Sequence, residues 1–397
     1  MKLNKRNSFN RLKLIVFFAY NVAYALYMAG FMDRVINLAI LALFLAMCIY
    51  QYLYDRKNRN KKVSKFSSEF KTAMVIVIVF LVISFIIQII HQNIQSYVFS
   101  TLLYNIIPPV LAFFLINTTD KEKISPYFYF FFIRSVLYFL LRNGSKISIE
   151  SIISIDWNDS KSSIFETPLA HDFLFLEIIF LYMKKTKLAI ASAFLCILSF
   201  KRISFILSIL FLLGYFVLGK MPAWDRFINK EVSKKTRGAV FIIFCIMPFV
   251  LDWMVSNAGI NFFYEIGFDI RKFTTGRVDI IRFVQDRIGG FNGYGTSDYF
   301  MTHCGIPVYE KLGSMHCDLL KMYYEVTIIG VGVYAHCMIE IAKRKRIVFL
   351  MLLYLFMELI SSHFLDALSV WNMFFIFAAY LYADDDKKEM ISNEESQ

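Results

Sequence analysis

The sequence predicts an all-α polytopic membrane protein with about twelve transmembrane helices and a large extracytoplasmic loop containing short amphipathic helices. Three observations carry this. The chain is 58% hydrophobic, with 43 Phe in 397 residues, well above the apolar share of a soluble domain. Apolar runs of about twenty residues recur, each long enough for a hydrocarbon core of ~30 Å. The runs are continuous instead of alternating, which selects helices over a barrel. The formal charge of +12 does not argue for a nucleic-acid partner, because most of the basic residues sit in short links between spans, as the positive-inside rule requires.

In chain order, Met1–Lys13 carries Lys2, Lys5, Arg6, Arg11 and Lys13 and is expected in the cytoplasm. Spans are expected at 12–30, 35–54, 72–91, 97–117, 126–143, 167–183, 188–200, 203–219, 238–255, 319–342, 347–362 and 367–383. No cleavage site follows the first run, so it is expected to remain as an anchor. Alternation from an inner N-terminus puts the basic links after Tyr54 and Met183, the 220–237 link, the KRKR run at 343–346 and the tail on the inner side. Parity and charge therefore agree on both termini being cytoplasmic. The seventh and eighth spans are short and are separated by Lys201–Arg202, which parity puts on the outer face. Pro108–Pro109 should kink the fourth span. No internal repeat of the transporter type is visible. Residues 1–255 thus hold the first nine spans, 256–318 an extracytoplasmic loop, 319–383 the last three spans, and 384–397 a charged tail expected to be disordered.

Ile260–Ile329 is where the chain pauses, with no spanning run for roughly sixty residues, and such a long structured loop is usually functional. It gathers arginines, glycines, aromatics and two histidines. The stretch TTGRVDIIRFVQDRIGG (274–290) reads as a short helix capped by Thr275 and ended by Gly289–Gly290. Arg277, Ile281, Val284 and Ile288 share one stripe, while Asp279, Arg282 and Asp286 have the spacing for i,i+3 and i,i+4 pairs. Such a helix can lie on a membrane surface. Arg277 falls in its first turn, where free N–H groups and partial positive charge suit a phosphate. Arg271 and Lys272 add positive field. Arg282 reads first as a salt-bridge residue. Gly289, Gly290, Gly293 and Gly295 permit tight turns or a close approach to a ligand.

Charges within spans are expensive. Arg134 and Glu177 fall at similar depth in antiparallel neighbours, and a structural ion pair between them is preferred over a site role. Arg202 has two readings: snorkelling to lipid phosphates, or a guanidinium fork awaiting an anion. His316 stands where the chain returns to the membrane. A lone His is more often structural, but this one can donate to a phosphate oxygen or act as a base near neutral pH. His303, His171 and Asp172 lie on the same side by parity. Of six Cys, Cys48, Cys196, Cys245 and Cys337 lie within apolar runs as small buried thiols. Cys304 and Cys317 both lie near the long loop, and whether they form a disulfide is left open by the spacing. Asp384, Asp385 and Asp386 read as a solvated end.

Four stretches together resemble the O-antigen ligase and Wzy-type polysaccharide polymerase superfamily, polytopic bacterial membrane glycosyltransferases. They are SFKRISFILSILFLL (199–213), TTGRVDIIRFVQDRIGGFNGYGTSDYF (274–300), SMHCDLLKMYYEVTIIGVGVY (314–334) and, more weakly, SSIFETPLAHDFLFLEI (162–178). Arg277 is followed by fifteen residues and then Gly293, a spacing that resembles the polymerase branch. Cys317 stands where that family usually has Asn, and Thr327 where it usually has Gly. The resemblance implies a metal-independent inverting transfer of a glycan from undecaprenyl diphosphate, on the outer face of the bacterial inner membrane and with no cofactor. It assigns catalysis to Arg202, Arg277 and His316. It gives a second rank of substrate-binding residues: Arg271, Arg282, Gly293, Gly295, His171, Asp172 and Glu325. The implied function is an O-antigen or capsule repeat-unit polymerase acting on undecaprenyl-diphosphate-linked oligosaccharide, with membrane lipid, a chain-length regulator protein and a flippase as partners. A ligase that transfers glycan to lipid A-core is the same-class alternative. A lipid-linked oligosaccharide flippase, or a structural or sensory membrane protein, would belong to other classes. A flippase should carry charge along both halves of its spans, whereas here charge concentrates at the outer face.

Overall fold

The computed structural model describes residues 3–59, 64–92, 95–144, 168–199, 201–219, 222–274, 276–290 and 292–395. Among them the chain is all-helical, with no strand. In order the helices are α1 (Leu3–Met28), α2 (Arg34–Arg59), α3 (Ser67–Ile90), α4 (Tyr97–Thr118), α5 (Ser125–Asn143), α6 (Leu169–Tyr182), α7 (Thr186–Leu198), α8 (Arg202–Leu218) and α9 (Pro222–Asn229). There follow α10 (Lys234–Val255), α11 (Asn257–Glu265), α12 (Ile270–Phe273), α13 (Arg277–Ile288), α14 (Thr296–His303), α15 (Pro307–Leu312), α16 (Asp318–Ala342), α17 (Arg346–Ser361) and α18 (Leu368–Glu395). Six of the described helices are long and apolar enough to cross a membrane: Arg34–Lys57, Ser67–Ile90, Tyr97–Thr118, Lys121–Asn143, Lys234–Val255 and Asp318–Ala342. α4 stays one helix through Pro108 and Pro109. The expected outer loop after Asn143 lies almost wholly outside the described residues, as does the Thr275 cap. The expected disordered tail is helical through Glu395; the sequence after Ala383 contains no Gly or Pro to stop a helix already running.

The chain forms two units, Met1–Phe66 with Leu111–Phe227 and Ser369–Gln397, and Ser67–Val110 with Ile228–Leu368. In the first, α6 is buried on every side from Leu169 to Leu181, as a helix apolar all round must be. Phe17 of α1 meets Phe44, Tyr127 and Phe131 with ring centroids 4.9–5.4 Å apart. Lys13 is buried, and its Nζ donates to Thr118 and Thr119 hydroxyls at 3.1 and 3.3 Å, which answers the cost of an ammonium out of water.

In the second unit α16 packs against α3, α10 and α17. Val75, Ile78, Val82, Ile86 and Ile89 form an exposed apolar stripe on α3, while Phe80, Ser84, Ile87 and Gln88 face inward. Arg344 pairs with Glu69 at 3.0 Å and Arg237 with Glu340 at 2.8 Å, tying α16 and the link after it to α3 and α10. The sequence predicts one continuous helix over 319–342, but α16 is broken at Val326 (φ −128°, ψ 15°) and Thr327 (φ 63°, ψ 176°). The hydrogen bonds explain the break. The Glu325 carbonyl accepts from Gly293 N at 3.1 Å, and Ile329 N, its ordinary i+4 donor, turns to Thr327 Oγ1 at 3.2 Å. Thr327 is thereby the N-cap of the second half.

Candidate functional site

Between Val255 and Asp318 five short helices are laid on the second unit. α13 follows Gly276, whose φ of 82° admits only glycine without strain. Val278, Ile281 and Val284 of α13 are buried against Met315, Cys317 and Leu320. This amphipathic face turns toward protein, and the buried register begins at Val278, with Arg277 half-buried at the start. The expected pairs within α13 are not the ones formed. Asp279 meets Arg271 Nε at 3.4 Å, and Arg282 donates to Asn257 at 2.6 Å. Both partners lie outside the helix, because α11 and α12 fold back along it.

Arg277 and His316 each adjoin in sequence a member of that apolar cluster, Val278 and Cys317. Burial pushes the Cys317 thiol up to about 12, and the Arg277 guanidinium is among the groups that draw it back. His316, the neighbour of Cys317, adopts φ 55°, a left-handed turn immediately before α16. Cys304 and Cys317 are both free thiols.

The glycine-rich turn is docked into the unit. Tyr294 is buried; its N–H donates to Ser84 Oγ at 2.9 Å, and its hydroxyl accepts from Asn105 at 2.8 Å. Burial pushes that hydroxyl above its ordinary pKa, so it stays protonated. Gly293 and Gly295 have φ of 91° and 89°, and a Cβ on Gly295 would stand 2.4 Å from Thr101 Oγ1. Their role in the fold is close approach of backbone to α3 and α4. Tyr97 stacks on Tyr299 at 4.8 Å and shares a hydrogen bond with Thr296 at 2.7 Å.

Glu325 holds the turn from below. Its two carboxylate oxygens accept from Gly295 N and Ser297 N, each at 2.8 Å, capping α14. One turn earlier, buried Lys321 pairs with Asp298 of α14. At the start of α16, Asp318 accepts from Phe364 N, Leu365 N and His363 Nδ1, the last at 2.9 Å. His363 also meets Asp366 at 3.0 Å. Burial alone would lower the imidazole pKa, but the Asp318 and Asp366 carboxylates raise it well above the usual histidine range. Lys321, Asp318, His363 and Asp298 were not among the sequence candidates. The signal was there: Asp318, Lys321 and Glu325 recur at helical spacing inside an apolar span, where each charge needs a partner.

A cleft of about 270 Å³ opens beside the break, lined by residues that include Asp252, Gln285, Asn292, Thr296, Tyr324 and Glu325. Asp252 Oδ1 accepts from Gln285 Nε2 at 2.9 Å and from the Tyr324 hydroxyl. Val284 and Ile288 also line it, so the stripe headed by Arg277 ends in the cleft.

The remaining candidates, His303 apart, belong to the first unit. The expected Arg134–Glu177 pair does not form. Arg134 pairs instead with Asp172 at 2.7 Å, one turn and a half earlier on α6, and also donates to Ser369. Asp172 further accepts from Ser135 at 3.1 Å and Ser369 at 2.7 Å. Glu177 accepts from Ser208 at 2.5 Å. Depth from span boundaries was too coarse to choose between two carboxylates five residues apart. Asp172 therefore sits in a buried structural network. His171 is buried with its Nε2 2.7 Å from Lys201 Nζ, and Arg202 is exposed at the start of α8. His303 in the second unit stacks on Tyr299 at 4.3 Å. Among the described residues no group of three His, Cys, Asp or Glu could hold a metal ion.

No family model, curated protein or solved structure matches this chain.

Proposed function

We propose that the chain is a multi-pass membrane glycosyltransferase that polymerises lipid-diphosphate-linked saccharide repeat units, with about twelve spans, both termini cytoplasmic and the 256–318 loop on the outer face. The observation that supports the reading is that Arg277 starts the helix whose apolar face packs on Met315 and Cys317, the residues either side of His316, where a membrane-length helix begins. The sequence resemblance to the ligase and polymerase superfamily supplies the reaction class.

In this reading Arg277, at the free N–H end of α13, binds the diphosphate of undecaprenyl diphosphate. A hydroxyl oxygen of the acceptor saccharide attacks the donor's anomeric carbon with inversion. The bond from that carbon to the phosphate oxygen breaks, the lipid diphosphate leaves with the electron pair, and the hydroxyl proton is released. Arg277 stabilises charge that grows on the departing diphosphate, a fixed electrostatic contribution. His316 orients a phosphate oxygen or takes the proton.

The test is glycan analysis of a deletion strain complemented with variants at matched protein level. Arg277→Ala should leave surface glycan capped at one repeat unit, and Arg277→Lys should restore it only in part, since an ammonium lacks the fork. A full-length ladder with Arg277→Ala removes the reading. Long polymer retained on the lipid diphosphate would assign the chain to ligation. Arg202→Ala, scored in the same strain, tests the first unit's outer arginine independently.

A further inference from the structure

We infer that the cleft between α13 and the break in α16 is a saccharide subsite for an uncharged, hydroxyl-rich sugar, and that it does not take the diphosphate. The inference rests on the transferase reading for its context and on the cleft for its chemistry. Among the described residues no Lys, Arg or His lines the cleft, while Asp252 and Glu325 both do. The Glu325 oxygens are already taken by Gly295 N and Ser297 N, so it is the Asp252 carboxylate, with no cation in the described lining, that disfavours an anion and favours hydroxyl or amide donors.

The lining combines a few fixed polar groups with aromatic rings, as a sugar site does. Tyr323 and Tyr324 supply the rings, with centroids 5.5 Å apart. Asp252, Gln285, Asn292 and Thr296 supply acceptors and donors. They are already ordered without a ligand. Asp252 Oδ1 is shared by Gln285 and Tyr324, and Asn292 Nδ2 donates to the carbonyls of Gly289 at 3.0 Å and Gly290 at 3.1 Å. Among the described residues nothing donates to Asp252 Oδ2, which leaves it for a ligand hydroxyl. A cavity near 270 Å³ falls just under the range of ~300–1,000 Å³ for drug-sized ligands, a size that suits a short saccharide.

The position agrees with the chemistry. Arg277 and Val284 share one face of α13 and are seven residues apart, about 10 Å along the axis. A diphosphate held at the N-terminal end would therefore have a sugar within reach of the cleft at the C-terminal end. The helix polarises the two sites in opposite senses, with positive charge at the anion and negative charge at the hydroxyl donors.

The experiment uses the full chain in detergent or nanodiscs. A panel of methyl glycosides of neutral hexoses, with the corresponding methyl uronides, is titrated by saturation-transfer NMR. At least one neutral glycoside should bind, and its uronide should bind at least tenfold more weakly. Gln285→Ala and Tyr323→Ala, each with an unchanged unfolding midpoint, should weaken the neutral glycoside tenfold or more. Arg277→Ala should leave it within twofold. Binding by no neutral glycoside, equal binding of the uronide, or binding indifferent to both cleft variants overturns the subsite. The two readings fail separately. If Arg277→Ala strains make normal glycan while sugar binding still depends on Gln285, the transferase falls and the subsite stands; loss of polymer with Arg277→Ala but no cleft-dependent binding does the reverse.

Discussion

Glu325→Ala should be among the most damaging single substitutions in the second unit. Glu325 is 1% exposed, and its carboxylate takes two backbone N–H groups, those of Gly295 and Ser297, at 2.8 Å each. Hydrogen bonds to a charged group contribute about 1.5–3 kcal/mol apiece, so two give about 3–6 kcal/mol. A second route reaches a similar size. Removing one member of a buried charge cluster costs about 3–5 kcal/mol, because Lys321 loses a balancing charge. The expected loss is thus about 3–5 kcal/mol, read as a shift in unfolding of the purified protein in a mild detergent. Glu325→Gln keeps one acceptor and should lose about half as much. The local signature is more specific. Amide hydrogen exchange across 292–303 should speed up in Glu325→Ala well before the transmembrane helices show any change. A loss under about 1 kcal/mol, or an unchanged exchange pattern at Gly295 and Ser297, would refute the reasoning that this carboxylate holds the turn.

Gly295→Ala should destabilise by about 2–4 kcal/mol in the same unfolding assay. It combines a positive-φ penalty of about 1–2 kcal/mol with a forced shift of Thr101. Thr327→Gly should stabilise by about 1 kcal/mol, since φ 63° with ψ 176° is a region that only glycine visits easily. The lost cap to Ile329 N returns part of that gain, and a clear destabilisation would count against strain at this position. The His363 pKa is raised by Asp318 and Asp366, so its contribution to stability is complete below about 6.5 and is lost as pH rises through the raised value. Unfolding midpoints of wild type and His363→Gln should therefore differ most in acid and still differ at neutral pH. Convergence of the two by pH 7 would contradict the assignment.

The helical class and most of the apolar helices were legible because apolar length is a strong signal. Ser125–Asn143, Tyr97–Thr118 and Asp318–Ala342 each lie within about two residues of the expected bounds, the usual error of helix ends. Pairings were not legible. The reading placed Arg134 opposite Glu177, but rotation about the α6 axis brings Asp172 to it instead. Within α13 the sequence offered local partners for Asp279 and Arg282, and tertiary neighbours took both. The break at Val326–Thr327 could not be read from Thr327, since nothing in that residue favours the backbone it adopts. It follows from Glu325 serving two masters: its own helix and the turn at Gly293. At the candidate site, Arg277 and His316 were visible as isolated charges near a loop. The cleft formed by Asp252, Gln285 and Tyr324 draws on three separate helices and left no local pattern.

Docking of Tyr294 on Ser84 has a consequence for where the turn lies. Ser84 is about two helical turns inside the end of α3 at Ile90, some 9 Å along its axis. If α3 spans the bilayer, the Gly293–Ser297 backbone is a re-entrant segment, irregular chain sunk beneath the headgroups. Such a segment survives in hydrocarbon only where protein answers each of its N–H and C=O groups. Ser84 and the carboxylate and carbonyl of Glu325 perform that service here. Under the proposed transferase function, a lipid-borne substrate would then react below the water line, with its isoprenoid tail still in the leaflet.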